Sequence, residues 1–190
     1  MRLNRQEVLK TGLMAAAAIV LLAGALIFAQ AARSGDLPGL LGHSAQLADF
    51  DQNGVRVTIR LDADPALGAR LTGVFTPDQP EFHLYSKDLP RGGLQGVGRP
   101  TLLEIAAPGA FRADGPLTAD QPEVAHYDEV LKMAFPVYPA GAVSLHLPVE
   151  RTASGAGQTV VLSVTYMACK NGACLPPVID RRVQVTLPQD

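Results

Sequence analysis

Cys169 and Cys174 are the only two thiols in a chain of 190 residues. They lie in the stretch V-V-L-S-V-T-Y-M-A-C-K-N-G-A-C-L-P-P, Val160 to Pro177, with Asn171-Gly172 midway between them. An Asn-Gly pair after an alternating β-branched run announces a two-residue hairpin, because a type I′ turn needs positive φ at both central residues. Counting outward from the turn, Lys170 opposes Ala173 as the hydrogen-bonded pair, and Cys169 opposes Cys174 as the adjoining non-hydrogen-bonded pair. Such pairs bring Cα atoms to about 4.5 Å, near the lower edge of the range in which two cysteines can be bridged. A bond closing so short a loop adds little to the fold, and strained or exposed disulfides are the ones that exchange. Three chemistries are open to the pair: thiol–disulfide exchange, a passive clip on a hairpin tip, or a soft-metal site for Cu(I) or Zn completed by Met167 or a distant histidine. No Cys-x-x-Cys and no His-x-His group supports the last. No metal and no cofactor is expected beyond the disulfide itself.

The elements that must position these cysteines read as strands. V-R-V-T-I-R-L, Val55 to Leu61, alternates apolar and polar residues with period two. Further strands are expected at 71–75, 81–85, 101–106, 131–137, 143–149, 159–167 and 182–187. Proline and glycine breakers such as Pro77, Pro90, Gly92-Gly93, Pro108-Gly109 and Gly155 separate them. No useful 3.6-residue period occurs beyond the N-terminal region. About eight short strands with turns between them point to an all-β protein, an antiparallel β-sandwich.

The N-terminus differs in kind. Arg2, Arg5 and Lys10 precede an uncharged run from Gly12 to Ala29, which is a membrane-inserting signal. Ala29-Gln30-Ala31 offers a cleavage site, while a run longer than the usual signal core of about 7–15 residues favours a retained anchor. Either way the basic residues stay inside and the remainder is exported, where a disulfide can persist. The expected organisation is therefore a hydrophobic helix serving as signal or anchor over 1–32, a flexible Gly/Pro-containing linker over 33–46, and one globular domain over 47–190. His43 falls in the linker and reads as a solvated residue. A net charge of −2 supplies no basic face for nucleic acid, and with few aromatics and no tryptophan there is no stacking platform.

The cysteine hairpin Y-M-A-C-K-N-G-A-C-L-P-P resembles the active-site hairpin of the N-terminal periplasmic domain of the DsbD thiol:disulfide interchange proteins. Three more segments fit that family in the same order: F-H-L-Y-S at Phe82 to Ser86, G-x-G-x-P-T at Gly96 to Thr101, and Tyr138 to Val149 ending in L-H-L-P-V. The resemblance covers most of the chain from about residue 47 onward and implies an immunoglobulin-like sandwich.

It also implies roles for particular residues. Cys174 would bond to the partner and Cys169 would resolve the mixed disulfide. His83 and Tyr85, which share a strand face, would flank the pair, and the nearby imidazole could steady a thiolate. A cap loop would shield the sulfurs, with Tyr127, Asp128 and Glu129 as its candidate tip. A carboxylate there would raise the thiol pKa. Tyr138 and Tyr166 read as structural. The implied partners are a separate membrane thiol transporter of the DsbD or CcdA type, exported thioredoxin-like proteins, and apocytochrome maturation factors of cytochrome c biogenesis. The competing reading is a non-catalytic, membrane-anchored binding module whose disulfide is a permanent clip.

Overall fold

The computed structural model describes residues 43–64, 68–107, 109–152, 158–170 and 172–187. The N-terminal hydrophobic segment and all of the linker before His43 lie outside them. Every regular element described is a β-strand and every strand pair is antiparallel, as the sequence pattern requires. Among the described residues no helix is long and apolar enough to cross a membrane.

The largest sheet contains β1 (His43–Gln52), β2 (Val55–Asp64), β3 (Gly68–Pro77), β10 (Val143–Arg151) and β6 (Phe111–Ala113), in that spatial order, with β7 (Thr118–Ala119) also on β10. Strand β1 corrects one expected boundary. Residues 43–46, assigned to a flexible linker, are paired with β2 from His43↔Ala63 onward. Asn53 and Gly54 make the connecting turn with φ of 51° and 71°, the left-handed pair that a tight hairpin needs. A register shift between Gln46 and Ala48 breaks the two-residue period of β1 and so conceals the strand from pattern reading.

A second sheet has the order β14 (Val178–Thr186), β11 (Thr159–Tyr166), β5 (Leu102–Ile105). The two sheets share one core. Val55, Val57 and Ile59 of β2, Leu71 and Phe75 of β3, Val143 and Leu145 of β10, Leu103 of β5 and Leu162 and Val164 of β11 are all fully buried in it. Tyr166 and Tyr138 are buried too. Tyr166 packs edge-on against Phe75 and donates to the Gln52 carbonyl, and the Tyr138 hydroxyl accepts from the Lys87 amide. Both tyrosines are structural.

One residue after β11 the chain enters a third, small sheet: β13 (Ala173–Cys174), β12 (Ala168–Lys170), β4 (His83–Leu84). Period-two alternation gives this sheet two different faces. The paired residues Ala168 and Leu84 look into the sandwich core. The next pair, Cys169 and His83, looks the other way. Beyond β4, a single bridge from Tyr85 to Val137 connects to a two-stranded hairpin made of β8 (Val124–Asp128) and β9 (Met133–Val137).

Candidate functional site

The cysteine hairpin has the register its turn residues demand. Cys169 pairs with Cys174 and Lys170 with Ala173, and Gly172 takes a φ of 79°. Asn171 lies outside the described residues. The next hydrogen bond outward runs from the Leu175 amide to the Ala168 carbonyl at 2.9 Å. The cysteines therefore occupy the non-hydrogen-bonded position between, with Cα atoms 4.1 Å apart, and they form a disulfide.

Two anchors fix this hairpin to the body. Lys170 bonds Glu81 at 2.7 Å and Gln79 at 3.0 Å, with its ammonium 4.7 Å from the centre of the Phe82 ring. The Asn53 side chain donates to the carbonyls of Pro176 and Pro177, at 3.0 and 3.3 Å. A Cβ at Gly54 would come within 2.5 Å of Leu175. The β1–β2 turn thus clamps the segment that leaves Cys174.

The two sulfurs meet different surroundings. Cys169 is 3% exposed, whereas Cys174, on the outermost strand of its sheet, is exposed. The Tyr85 hydroxyl donates to Cys169 Sγ at 3.2 Å and lies 3.9 Å from Cys174 Sγ. Burial, helped by the Asp128 charge, pushes the Tyr85 phenol above its ordinary pKa, so it remains a donor. Tyr85 is itself held closely: its carbonyl accepts from Thr101 Oγ1 at 2.7 Å, and Gly98, with φ of 79°, passes so near the ring that a Cβ there would lie 3.0 Å from it. The G-x-G-x-P-T segment is therefore the mount for Tyr85.

Facing this array is the β8–β9 hairpin. Phe135 packs edge-on against Tyr85, with ring centroids 5.5 Å apart. His126 lies against His83 at 4.6 Å. Val130, at the hairpin tip, reaches 3.4 Å from where a Cβ on Gly172 would be. Tyr85, Leu89, Phe135, Val137 and Cys169 together form a small hydrophobic cluster separate from the sandwich core. The arrangement suits thiol–disulfide exchange: one cysteine lies exposed on an edge strand under the hairpin tip, and its buried partner has a hydroxyl ready to steady it as a leaving thiolate.

The family profile of the thiol:disulfide interchange protein DsbD, N-terminal, matches residues 50–185. The chain belongs to this DsbD N-terminal family. No curated protein and no solved structure matched the chain. Membership accords with thiol–disulfide exchange outside the cytoplasm and with thiol–disulfide partners in general.

Within this DsbD N-terminal domain the expected site residues are distributed unequally. His83 and Tyr85 lie beside the disulfide, on the face of Cys169. Of the candidate cap residues only Asp128 turns inward. It is half-buried, its charge acts on both His83 and Tyr85, and its Oδ1 accepts from the Val130 and Leu131 amides at 2.8 and 2.9 Å, closing the hairpin turn. Tyr127 projects outward and is 51% exposed, and Glu129 is an exposed turn residue bonded to Lys132. Consecutive strand residues project to opposite faces, so Tyr127 and Asp128 point to different sides of β8, and Glu129 lies beyond the strand in the turn. The inward neighbours are His126 and Phe135, which pair with one another across the hairpin. Alternation about Asp128 points to His126. Burial, reinforced by His126 and opposed by Asp128, lowers the His83 pKa to about 4.

Proposed function

We propose that this domain is an extracytoplasmic dithiol/disulfide relay, built on an immunoglobulin-like sandwich. It takes reducing equivalents from a membrane thiol transporter of the DsbD or CcdA type and passes them to exported thioredoxin-like proteins or cytochrome c maturation partners. The observation that carries this reading is the asymmetry of the disulfide, exposed at Cys174 and buried under Tyr85 at Cys169. The redox centre is the disulfide itself, with no cofactor. The segment 12–29 tethers the domain to the membrane as a single-pass anchor.

In the first half-reaction a donor thiolate attacks Cys174 Sγ. The Cys169–Cys174 bond breaks, and Cys169 leaves as a thiolate that accepts the Tyr85 hydroxyl bond. The donor's second thiol then displaces Cys174, leaving the donor oxidised and the domain reduced by two electrons. In the second half the Cys174 thiolate attacks an acceptor disulfide, and Cys169 attacks Cys174 to restore the internal bond and release the acceptor as a dithiol. The β8–β9 hairpin is the shield: it must swing away from Gly172 before a partner reaches Cys174, and Asp128 disfavours a bare thiolate while it is closed.

A Cys169→Ala variant lacks the resolving thiol and should accumulate a mixed disulfide through Cys174 in cells, identifying the acceptor. Cys174→Ala should accumulate far less. Equal trapping by both variants, or a wild-type disulfide that never equilibrates with glutathione, would leave a clipped binding module instead.

A further inference from the structure

We propose that the reduced domain binds one soft or borderline cation, Zn(II) or Cu(I), between the thiolates of Cys169 and Cys174 and the imidazoles of His83 and His126. The inference depends on the exchange reading only in requiring that the disulfide can be reduced.

The register supplies the donors. Cys174, Cys169 and His83 form one row across β13, β12 and β4. Directly opposed residues of antiparallel strands project to the same face with Cβ atoms about 4.5–5.5 Å apart. The hairpin adds a fourth member, because the His126 ring lies 4.6 Å from the His83 ring with their planes 46° apart. His83 is the informative residue. It is only 8% exposed, yet among the described residues its ring makes contacts with Tyr85 and His126 and no hydrogen bond. No buried side-chain nitrogen or oxygen among the described residues lacks a partner, so the His83 ring nitrogens keep a solvent-facing edge and stay free to take up a ligand in another state of the protein.

In the disulfide form no group of three or more suitable donors converges among the described residues. Reduction changes the count. A dithiol gives two electrons, the S–S bond becomes two thiols, and the dithiol becomes a disulfide. Each thiol then loses its proton to solvent as the ion binds. Two thiolates and two imidazoles make a closed tetrahedral set of the kind that holds structural zinc, and thiolate donors equally suit Cu(I). The bound ion would occupy both nucleophiles and tie the β8–β9 hairpin shut through His126, so exchange would be suppressed while the ion stays.

The test uses the full chain in detergent, reduced anaerobically with a phosphine and titrated with Co(II) and Zn(II) alone. The reduced chain should take up one equivalent of Co(II), with a thiolate charge-transfer band and tetrahedral d–d absorption that Zn(II) abolishes. The oxidised chain should take up none. His83→Phe and His126→Phe keep an aromatic ring at each position. Each should weaken Zn(II) binding by about tenfold or more, the scale reached when even an outer-shell partner of a metal ligand is lost. His126 is only half-buried, so its variant carries the test if His83→Phe fails to fold. Equal uptake by oxidised and reduced protein, or histidine variants with unchanged affinity and spectrum, overturns the proposal. Mixed-disulfide trapping needs no metal, so failure of the relay would show separately.

Discussion

The molecule has two hydrophobic clusters that are built differently. The sandwich core draws on strands of eight to ten residues, β2, β3, β10, β11 and β14, and its fully buried members are almost all aliphatic or Phe. The second cluster, around Tyr85, Phe135 and Cys169, rests on strands of two to five residues and is roofed by a hairpin joined to the body by side-chain contacts and one backbone bridge. Both use the same small sheet, one on each face. Stability thus resides on the Leu84 and Ala168 face and reactivity on the His83 and Cys169 face. A region with few long-range pairings can open without global unfolding, and the proposed relay needs that of the roof over its disulfide.

Two phenylalanine truncations should separate the clusters. Phe75→Ala, in the sandwich core, should cost about 3–5 kcal/mol in denaturant unfolding, while the disulfide of the molecules still folded reacts with a small thiol at the parent rate. Phe135→Ala should cost less globally, because its cavity forms at the periphery where the hairpin can collapse. It should speed reduction by a small thiol about tenfold, equivalent to about 1.4 kcal/mol easier opening. If the two variants melt alike and neither changes the rate, the clusters are one cooperative unit and the comparison fails.

Tyr85→Phe probes the reactive cluster more finely. It keeps the ring against Phe135 and removes only the hydroxyl bonded to Cys169. A net hydrogen bond of about 0.5–1.5 kcal/mol translates to a roughly two- to tenfold slower attack at Cys174, with little change in melting. Stopped-flow reduction by a dithiol reads this directly. An unchanged rate would mean that the phenol does not support the leaving thiolate.

The sequence made the sandwich legible because its strands bury one face, so that Val55, Val57, Ile59 and Leu61 recur with period two. The cysteine pairing was legible for a local reason, the Asn-Gly turn. A second Asn-Gly, Asn53-Gly54, carried the same signal for β1 and β2, but the bulge at Gln46 to Ala48 scrambled the pattern upstream of it. Strand β8 was hidden because its inward residues are His126 and Asp128 and not apolar ones, so an apolar periodicity cannot register it. Contacts such as Tyr85 with Cys169, and Asn53 with Pro176, join residues far apart in the chain and follow from sheet order. Local residue chemistry does not contain them. Family resemblance indicated the first, and only the fold exposed the second.

The smallest expected effect concerns a polar row on the outer face of the large sheet, remote in register from the cysteines. Thr72 Oγ1 donates to Asp62 at 2.6 Å, so its 3.1 Å contact with His146 must be a donation from the His146 Nδ1–H. Burial first, then the Arg70 charge, lowers the His146 pKa, with Asp120 and Asp62 opposing. A lowered histidine pKa means that the unfolded chain takes up a proton before the folded one does. Stability from this group is therefore complete above the ordinary histidine value of about 6.5 and declines as pH falls below it, towards the lower folded value. For a single proton the slope stays under about 1.4 kcal/mol per pH unit. His146→Gln should flatten denaturant stability between pH 6.5 and 5 relative to the parent, while the pH profile of thiol exchange is unmoved. A shifted exchange profile would show that the outer face of the sandwich communicates with the disulfide, against the separation of the two clusters.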